Sequence, residues 1–385
     1  MRIYILFISL IFTTIAKSQF IDINIYHDKP LSDIILTPVD GEYKIYNDSV
    51  LIYELKRNDI IYVSLQDDSI EIKNLDKIIG FYKSFKIIGK KTNNSLRVKP
   101  IKPEGKIRVY DDNIFVSIRD NNLFLINNVD LENYIAGVVE AEGGSKSSIE
   151  YYKTQAIICR TYALRNFNRF IDQGYNLCDD VNCQAYHGKS LRSSKIIRAT
   201  KATKGLIIVD TTLNLINAVF HSNSGGETVP AEIAWQKPLS YLKAVTDSFA
   251  IHGKRYNWKK TIPLSRWKSY LRLNGFNISN NIYIQPSEYE FTQIQRKQYY
   301  KLRNDSIELK QIRKDFKLRS TFFSIKLSGN NLIFTGKGYG HGVGLCQEGA
   351  MYMANNGYNY DQIIKFYYHN TYIVSLTALD FFKKN

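Results

Sequence analysis

The chain has 385 residues, with 52 Lys and Arg against 36 Asp and Glu, a formal net charge of +16. At 44% apolar and 23% charged residues it can bury a core, which excludes wholesale disorder, and four cysteines are too few for a small disulfide scaffold. The basic excess is the anomaly: it calls for an anionic partner without saying which.

Residues 1–18 read MRIYILFISLIFTTIAKS, with Arg2, an apolar run from Ile3 to Phe12 broken by Ser9, and Ala16 and Ser18 two apart. This is the layout of a secretory signal with Gln19 as the mature start. The run is short for a bilayer span, and no later stretch offers ~18 continuous apolar residues, so no transmembrane span is expected after signal cleavage. The expectation is export to the periplasm or cell surface. Losing Arg2 and Lys17 lowers the charge to +14. Outside the cytoplasm no nucleic acid partner is expected; anionic surface polymers or lipid headgroups take its place.

Residues 19–115 form an expected β-rich N-terminal region. Short alternating runs such as IIYVSLQ and SIEIKNL are broken by Asp-Asp, Asn-Asn and Gly. From 116 to 385 helices and strands mix, which makes the whole chain α+β. DLENYIAGVVEAEGG starts a helix at Asp130. SSIEYYKTQAIICRTYALRNFNRF, with Ile149, Tyr152, Ala156, Cys159 and Ala163 at helical spacing and no Gly or Pro, predicts a long helix. A further helix is expected near 193–203, with strands GLIIVD and LINAVF after it. Residues 251–320 read as an insertion with 16 Lys/Arg and 5 Asp/Glu, a net of +11. Within it LSRWKSYLRLNG is a helix stopped by Gly275, and 290–316 is expected to be helical in parts. Strands FFSIKLSG and NLIFTG, helices QEGAMYMANNG and YDQIIKFYYHN, and a final strand close the chain.

Four patterns carry the chemistry: GVVEAEGG (137–144) with KTQAIICRTYAL (153–164); CDDVNCQAYHG (178–188); VFHSNSGGETV (219–229) with SYLKAV; and GKGYGHGVGLCQEGA (336–350). In that order they resemble the SpoIID/LytB family, whose pattern is GVVxxE, a KAQAVAARTYAL-like helix, CQxY, SGGxT and GxGxGHGVGMSQxGA. The likeness covers about residues 105–380 and rests on several motifs in one order, far more specific than a lone glycine loop.

The resemblance implies a lytic transglycosylase of peptidoglycan glycan strands that cuts the β-1,4 bond after N-acetylmuramic acid and leaves a 1,6-anhydro end. Glycoside hydrolysis ordinarily uses two carboxylates. Here one suffices, because the sugar's own C6 hydroxyl is the nucleophile. Glu142 holds the family position for that acid, and its pKa must be raised to keep it protonated near neutrality. Glu140 is the rival, on another face of the helix. Where many relatives have Met-Pro after the glutamate, Gly143 and Gly144 follow here, which loosens the expected backbone. By the same resemblance Arg160, His221, Ser224, Gly225, Tyr241, Lys243, His341 and Gln347 shape the glycan groove. Each has a structural alternative: an internal ion pair for Arg160, core packing for Tyr241, a purely structural histidine for His341. A serine-hydrolase reading of Ser224 and His221 fails because G-x-S-x-G is absent and no acid partner is evident. The alternating glycines of 336–344 imply that another backbone or a glycan comes close.

Cys178 and Cys183 enclose four residues and suit a disulfide in an exported chain. Some relatives place zinc on two such cysteines and a histidine, so a structural zinc with His187 or His221 stays open; the reaction itself requires no cofactor. Cys159 and Cys346 allow a second bridge or two buried thiols. The family's older name adds an alternative, a non-catalytic wall-binding enhancer with an amidase as partner.

Overall fold

The structure, a computed structural model, describes residues 19–91, 93–235, 238–278 and 285–379; the expected signal segment lies outside them. The chain is α+β and divides into two compact units. One runs through Leu131 apart from Tyr26–Asp28, and the other comprises Tyr26–Asp28 and everything from Glu132 on.

Among the described residues the elements of the first unit are strands: β1 (Phe20–Ile25), β2 (Asp33–Asp40), β3 (Tyr43–Asn47), β4 (Val50–Leu55), β5 (Ile61–Gln66), β6 (Ser69–Lys73), β7 (Ile78–Tyr82), β8 (Ser84–Gly89), β9 (Ser95–Lys102), β10 (Arg108–Asp111), β11 (Asn113–Arg119) and β12 (Asn122–Asp130). They form two sheets with orders β1-β12-β11-β8-β3-β4 and β10-β9-β2-β5-β6-β7. The sheets pack with β12 against β5 and β11 against β6. The period-2 pattern explains this: Ile34 and Leu36, Ile70 and Ile72, Ile114 and Val116, and Leu123 and Leu125 are buried while their neighbours are not. Positive-φ turns at Asp67, Asp120 and Asn121 join hairpins where Asp-Asp and Asn-Asn runs predicted them. The unit ends after Leu131, not at 115. β11 and β12 pair with each other along their length, and β12 also pairs with β1, so they cannot belong elsewhere.

In the second unit α1 (Leu131–Gly143) is followed by α2 (Ile149–Arg165), α3 (Ser194–Ala202), α4 (Ala231–Trp235), α5 (Leu264–Leu273), α6 (Leu309–Asp315), α7 (Gln347–Asn355) and α8 (Tyr360–Tyr367). Ser148 caps α2, its side chain accepting from the Tyr151 N–H. Eleven of the seventeen residues of α2 are buried, and it packs on α3, α7 and α8, which makes it the central helix of this unit. Its strands are β13 (Leu177–Cys178), β14 (Leu206–Asp210), β15 (Phe220–His221), β16 (Asn257–Pro263), β17 (Tyr299–Leu302), β18 (Asp305–Glu308), β19 (Phe322–Ser328), β20 (Asn331–Lys337), β21 (Leu345–Cys346) and β22 (Thr371–Ser375). LINAVF yields only the end strand β15; Leu215 makes an isolated bridge to Val209.

The basic insertion has its own core. Trp258, Trp267, Leu271, Phe276, Tyr300, Ile312, Phe323 and Phe334 belong to one buried cluster under the sheet β16-β20-β19. That lobe reaches Lys337, past the expected 320, because β19 and β20 complete its sheet. Among the described residues α-helix there is confined to α5 and α6. Tyr299–Glu308 makes a hairpin instead, because Tyr300, Leu302 and Ile307 alternate and Arg303 takes a positive φ at the turn.

Candidate active site

Glu142 sits in the last turn of α1. Its Oε1 accepts the Ala185 N–H at 2.8 Å, and Oε2 has no protein partner among the described residues. Burial pushes its carboxyl above the usual range, and the Ala185 bond offsets part of that. Tyr134 and Tyr151, both fully buried, are among its neighbours. Glu140 is excluded from the same role by its contacts: it accepts from Ser190 Oγ at 3.0 Å and from the Leu191 and Arg192 N–H groups at 3.3 and 2.7 Å, and so holds the 190–192 loop.

The local fold places Glu142 through two contacts. Gly137 lies where the chain crosses α1. A Cβ there would meet the Gly188 carbonyl oxygen at 2.2 Å and the Tyr186 ring at 2.6 Å, so only glycine lets the 178–188 loop come close enough for Ala185 to reach the carboxylate. After the helix, Gly144 adopts φ +68°, and the turn is tied down rather than loose. Tyr152 Oη donates to the Gly144 carbonyl at 3.1 Å and accepts the Ser147 N–H at 2.8 Å.

The third and fourth motifs interlock. β15 and β21 pair in parallel, Phe220 with Leu345 and His221 with Cys346, and Asn223 bridges to Tyr339. At Gly338, with φ +80°, a Cβ would lie 2.7 Å from the Asn223 carbonyl oxygen and 2.8 Å from the Gly225 nitrogen. What approaches the glycines is therefore the 219–225 backbone. This clasp leads into α7, whose Gln347 Nε2 donates to the Glu142 carbonyl at 3.3 Å. Gln347 is the polar side chain of the fourth motif that meets Glu142.

The remaining expected groove residues have contacts of their own. Arg160 is fully buried. Its Nε and Nη2 donate to the two carboxylate oxygens of Glu132 at 2.8 and 2.5 Å, and Nη1 donates to the Leu206 carbonyl at 3.0 Å. This is the internal ion pair of its two readings. Ser224 is also fully buried. Its Oγ donates to Asp247 at 2.8 Å and accepts the Gly226 N–H at 3.2 Å. Burial raises the Asp247 pKa. Ser224 thus has an acid partner after all, but it is a direct one with no histidine between, and the serine-hydrolase reading stays excluded. Gly225 presses on the Lys337 backbone, its Cβ direction ending 2.8 Å from that carbonyl carbon. His221 is buried; Nδ1 donates to the Val343 carbonyl at 3.0 Å and Nε2 has no partner among the described residues. His341 uses both nitrogens internally, Nε2 donating to the Phe220 carbonyl at 2.9 Å and Nδ1 accepting the Val343 N–H at 3.1 Å. Burial keeps both rings neutral, with the His341 pKa lowered to about 4. Tyr241 packs in the core and its Oη accepts the Asn217 N–H at 3.0 Å. Lys243 is exposed.

Cys178 and Cys183 form the disulfide, and Cys159 and Cys346 are separate buried thiols, so the second bridge is not made. The histidine near Cys178 is His27, not His187 or His221. His27, Cys178 and Asp180 bring imidazole, sulfur and carboxylate within 4.8 Å of one another. With the bridge reduced, these three and Cys183 are donors that fit a structural zinc, which would brace the same loop. Asp179 already fixes that loop by accepting the Tyr26 and His27 N–H groups at 2.7 and 3.1 Å.

Sequence reading missed four partners: Glu132, Asp247, His27 and Arg296. Arg296 lies in the lobe and donates to the carbonyls of Glu227, at 2.8 Å, and Ser224, anchoring the SGG segment. None of the four carries a local sequence signal, since each acts across tens of residues.

Comparisons with known proteins bear on the same segments. The family model described as SpoIID, Stage II sporulation protein, matches residues 119–209, which hold α1, α2 and the disulfide loop. The chain is similar to Stage II sporulation protein D of Bacillus subtilis (strain 168), 29% identical over 271 residues that cover 66% of this chain and 77% of that protein. It is 30% identical over 261 residues to Stage II sporulation protein D of Bacillus amyloliquefaciens, covering 63% of this chain and 74% of that one. A third relative is the Amidase enhancer of Bacillus subtilis (strain 168), 26% identical over 294 residues, with 63% and 40% covered.

Proposed function

The chain belongs to the SpoIID/LytB family, and from that premise we propose that it is an exported, cell-wall-directed lytic transglycosylase with Glu142 as its general acid and base. The observation that carries this reading is a single half-buried carboxyl with a raised pKa and one free oxygen. Protonated Glu142 donates to the glycosidic oxygen as the C1–O4 bond breaks. The C6 hydroxyl of the same sugar attacks C1, and the carboxylate takes the hydroxyl proton. One group gives a proton and recovers one, so neither a second carboxylate nor a cofactor is needed. The Ala185 N–H holds the carboxylate form between the two transfers, and Gln347 fixes the backbone that carries it.

Incubating the protein and its Glu142→Gln variant with isolated glycan strands tests this by mass spectrometry of the products. The expected result is 1,6-anhydro ends from the native chain and a loss of about 10²–10⁴-fold in the variant, with strand binding kept. Because the acid must be protonated, activity should fall as pH rises through the raised pKa of Glu142. Undiminished product from the variant overturns the mechanism. A native chain that binds strands, cuts none and raises the rate of an added amidase supports the enhancer reading instead, which the third relative's name favours.

A further inference from the structure

A cavity away from the Glu142 contacts opens between α4 and the lobe. It holds about 190 Å³ and is lined by Trp235 and the apolar side chains of α4, by Lys297, Glu308, Lys310 and Arg313 of the lobe, and by His341. For scale, an engineered cavity of ~150 Å³ takes up benzene. The space therefore admits one six-membered ring or a dipeptide end.

The polar groups on the wall decide the charge of the occupant. Lys310 pairs with Glu308 at 2.9 Å, so those two cancel. The Lys297 ammonium donates to the Thr292 carbonyl at 2.9 Å. His341 has both nitrogens engaged and offers only its ring, with Trp235 6.2 Å away. Arg313 is different. Its Nε is buried and has no hydrogen-bond partner among the described residues, and no acid pairs with its guanidinium there. The side chain as a whole is half-buried and lines the cavity, so its guanidinium lacks both full hydration and a counter-ion, and a carboxylate is the acceptor that its fork geometry fits.

We propose that this cavity is a binding pocket for one carboxylate-bearing group of about ring or dipeptide size, anchored by Arg313 and flanked by the Trp235 indole. Burial lowers the pKa of Arg313, and Tyr339 offsets part of that. Two wall components carry such a carboxylate: the lactyl arm of muramic acid and the free end of a peptide stem. Looking for it in the wall rests on the function proposed above; the pocket does not.

Ligand-observed NMR on the full chain tests it with four probes: N-acetylmuramic acid, N-acetylglucosamine, D-alanyl-D-alanine and its C-terminal amide. Saturable binding of at least one acid, about tenfold tighter than its neutral counterpart, is the expected result. The acid that binds identifies the source. Arg313→Gln and, on the opposite wall, Trp235→Ala should each weaken that binding by about tenfold, and Arg313→Lys should restore part of it. Glu142→Gln should leave it unchanged, so a failed catalytic mechanism and a failed pocket give different results. No saturable binding of either acid, or equal binding by the Arg313 and Trp235 variants, overturns the proposal.

Discussion

Arg160 and Glu142 show how one motif divides its work between structure and chemistry. Both stand in the pattern that marks the family, yet only Glu142 keeps a free atom. Arg160 has no exposed surface, and Glu132, its partner, is 16% exposed. Removing one member of a buried pair leaves the other's charge desolvated and unpaired. Arg160→Met should therefore lower stability by about 3–5 kcal/mol in urea unfolding, and the added change Glu132→Gln should return part of it. If Arg160 served the substrate instead, the single variant would keep its stability and lose only affinity. The sequence marked Arg160 but not its role, because Glu132 lies 28 residues away and nothing near either residue signals the pairing. Ser224 repeats the case: the S-G-G run is visible in the chain, whereas the buried Asp247 that orients it is visible only once the loop is closed.

Among the elements, the 178–186 loop is the piece that tunes the acid. Its disulfide closes a short ring, and Ala185, just beyond, supplies the N–H on Glu142. Replacing both cysteines by serine should cost about 2 kcal/mol for a ring of this size. It should also loosen the Ala185 bond. That bond lowers the Glu142 pKa against the rise from burial, so losing it raises the pKa further. The falling limb of the pH–activity profile should then move to higher pH, whereas a loop that served stability alone would leave the limb in place. At this scale most of the fold was legible. The 3.6-residue pattern fixed α2, and the alternation of Ile and Val fixed the first unit. The failures share a cause. Strand β15 is too short to show a period, and the Tyr299–Glu308 hairpin turns through Arg303 and Asn304, where the positive φ falls on the arginine and the asparagine is the one turn residue in a run that otherwise suits a helix. Likewise, the end of the first unit depends on which strands pair, and pairing at long range leaves no local trace.

For the molecule as a whole, the basic excess is concentrated. Residues 251–320 carry 16 Lys and Arg against 5 acids, on a lobe with its own apolar core. The core explains why the charge is tolerated: Trp267, Tyr300 and Phe334 hold the lobe together, so the cations can lie outside it. Lys301, Lys314, Lys317 and Arg319 are all exposed. Charges so placed act through solvent over about 8 Å at physiological ionic strength, which suits loose retention on an anionic polymer better than one specific contact. Changing Lys301, Lys314 and Lys317 together to Gln should weaken cosedimentation with purified wall and flatten its dependence on salt. Stability should stay within about 0.5 kcal/mol per site, as for surface changes without partners. Turnover of short soluble glycans should be unaffected, since none of the three touches Glu142 or its partners. Unchanged wall binding with an unchanged salt dependence would show that the lobe's charge has no part in holding the polymer.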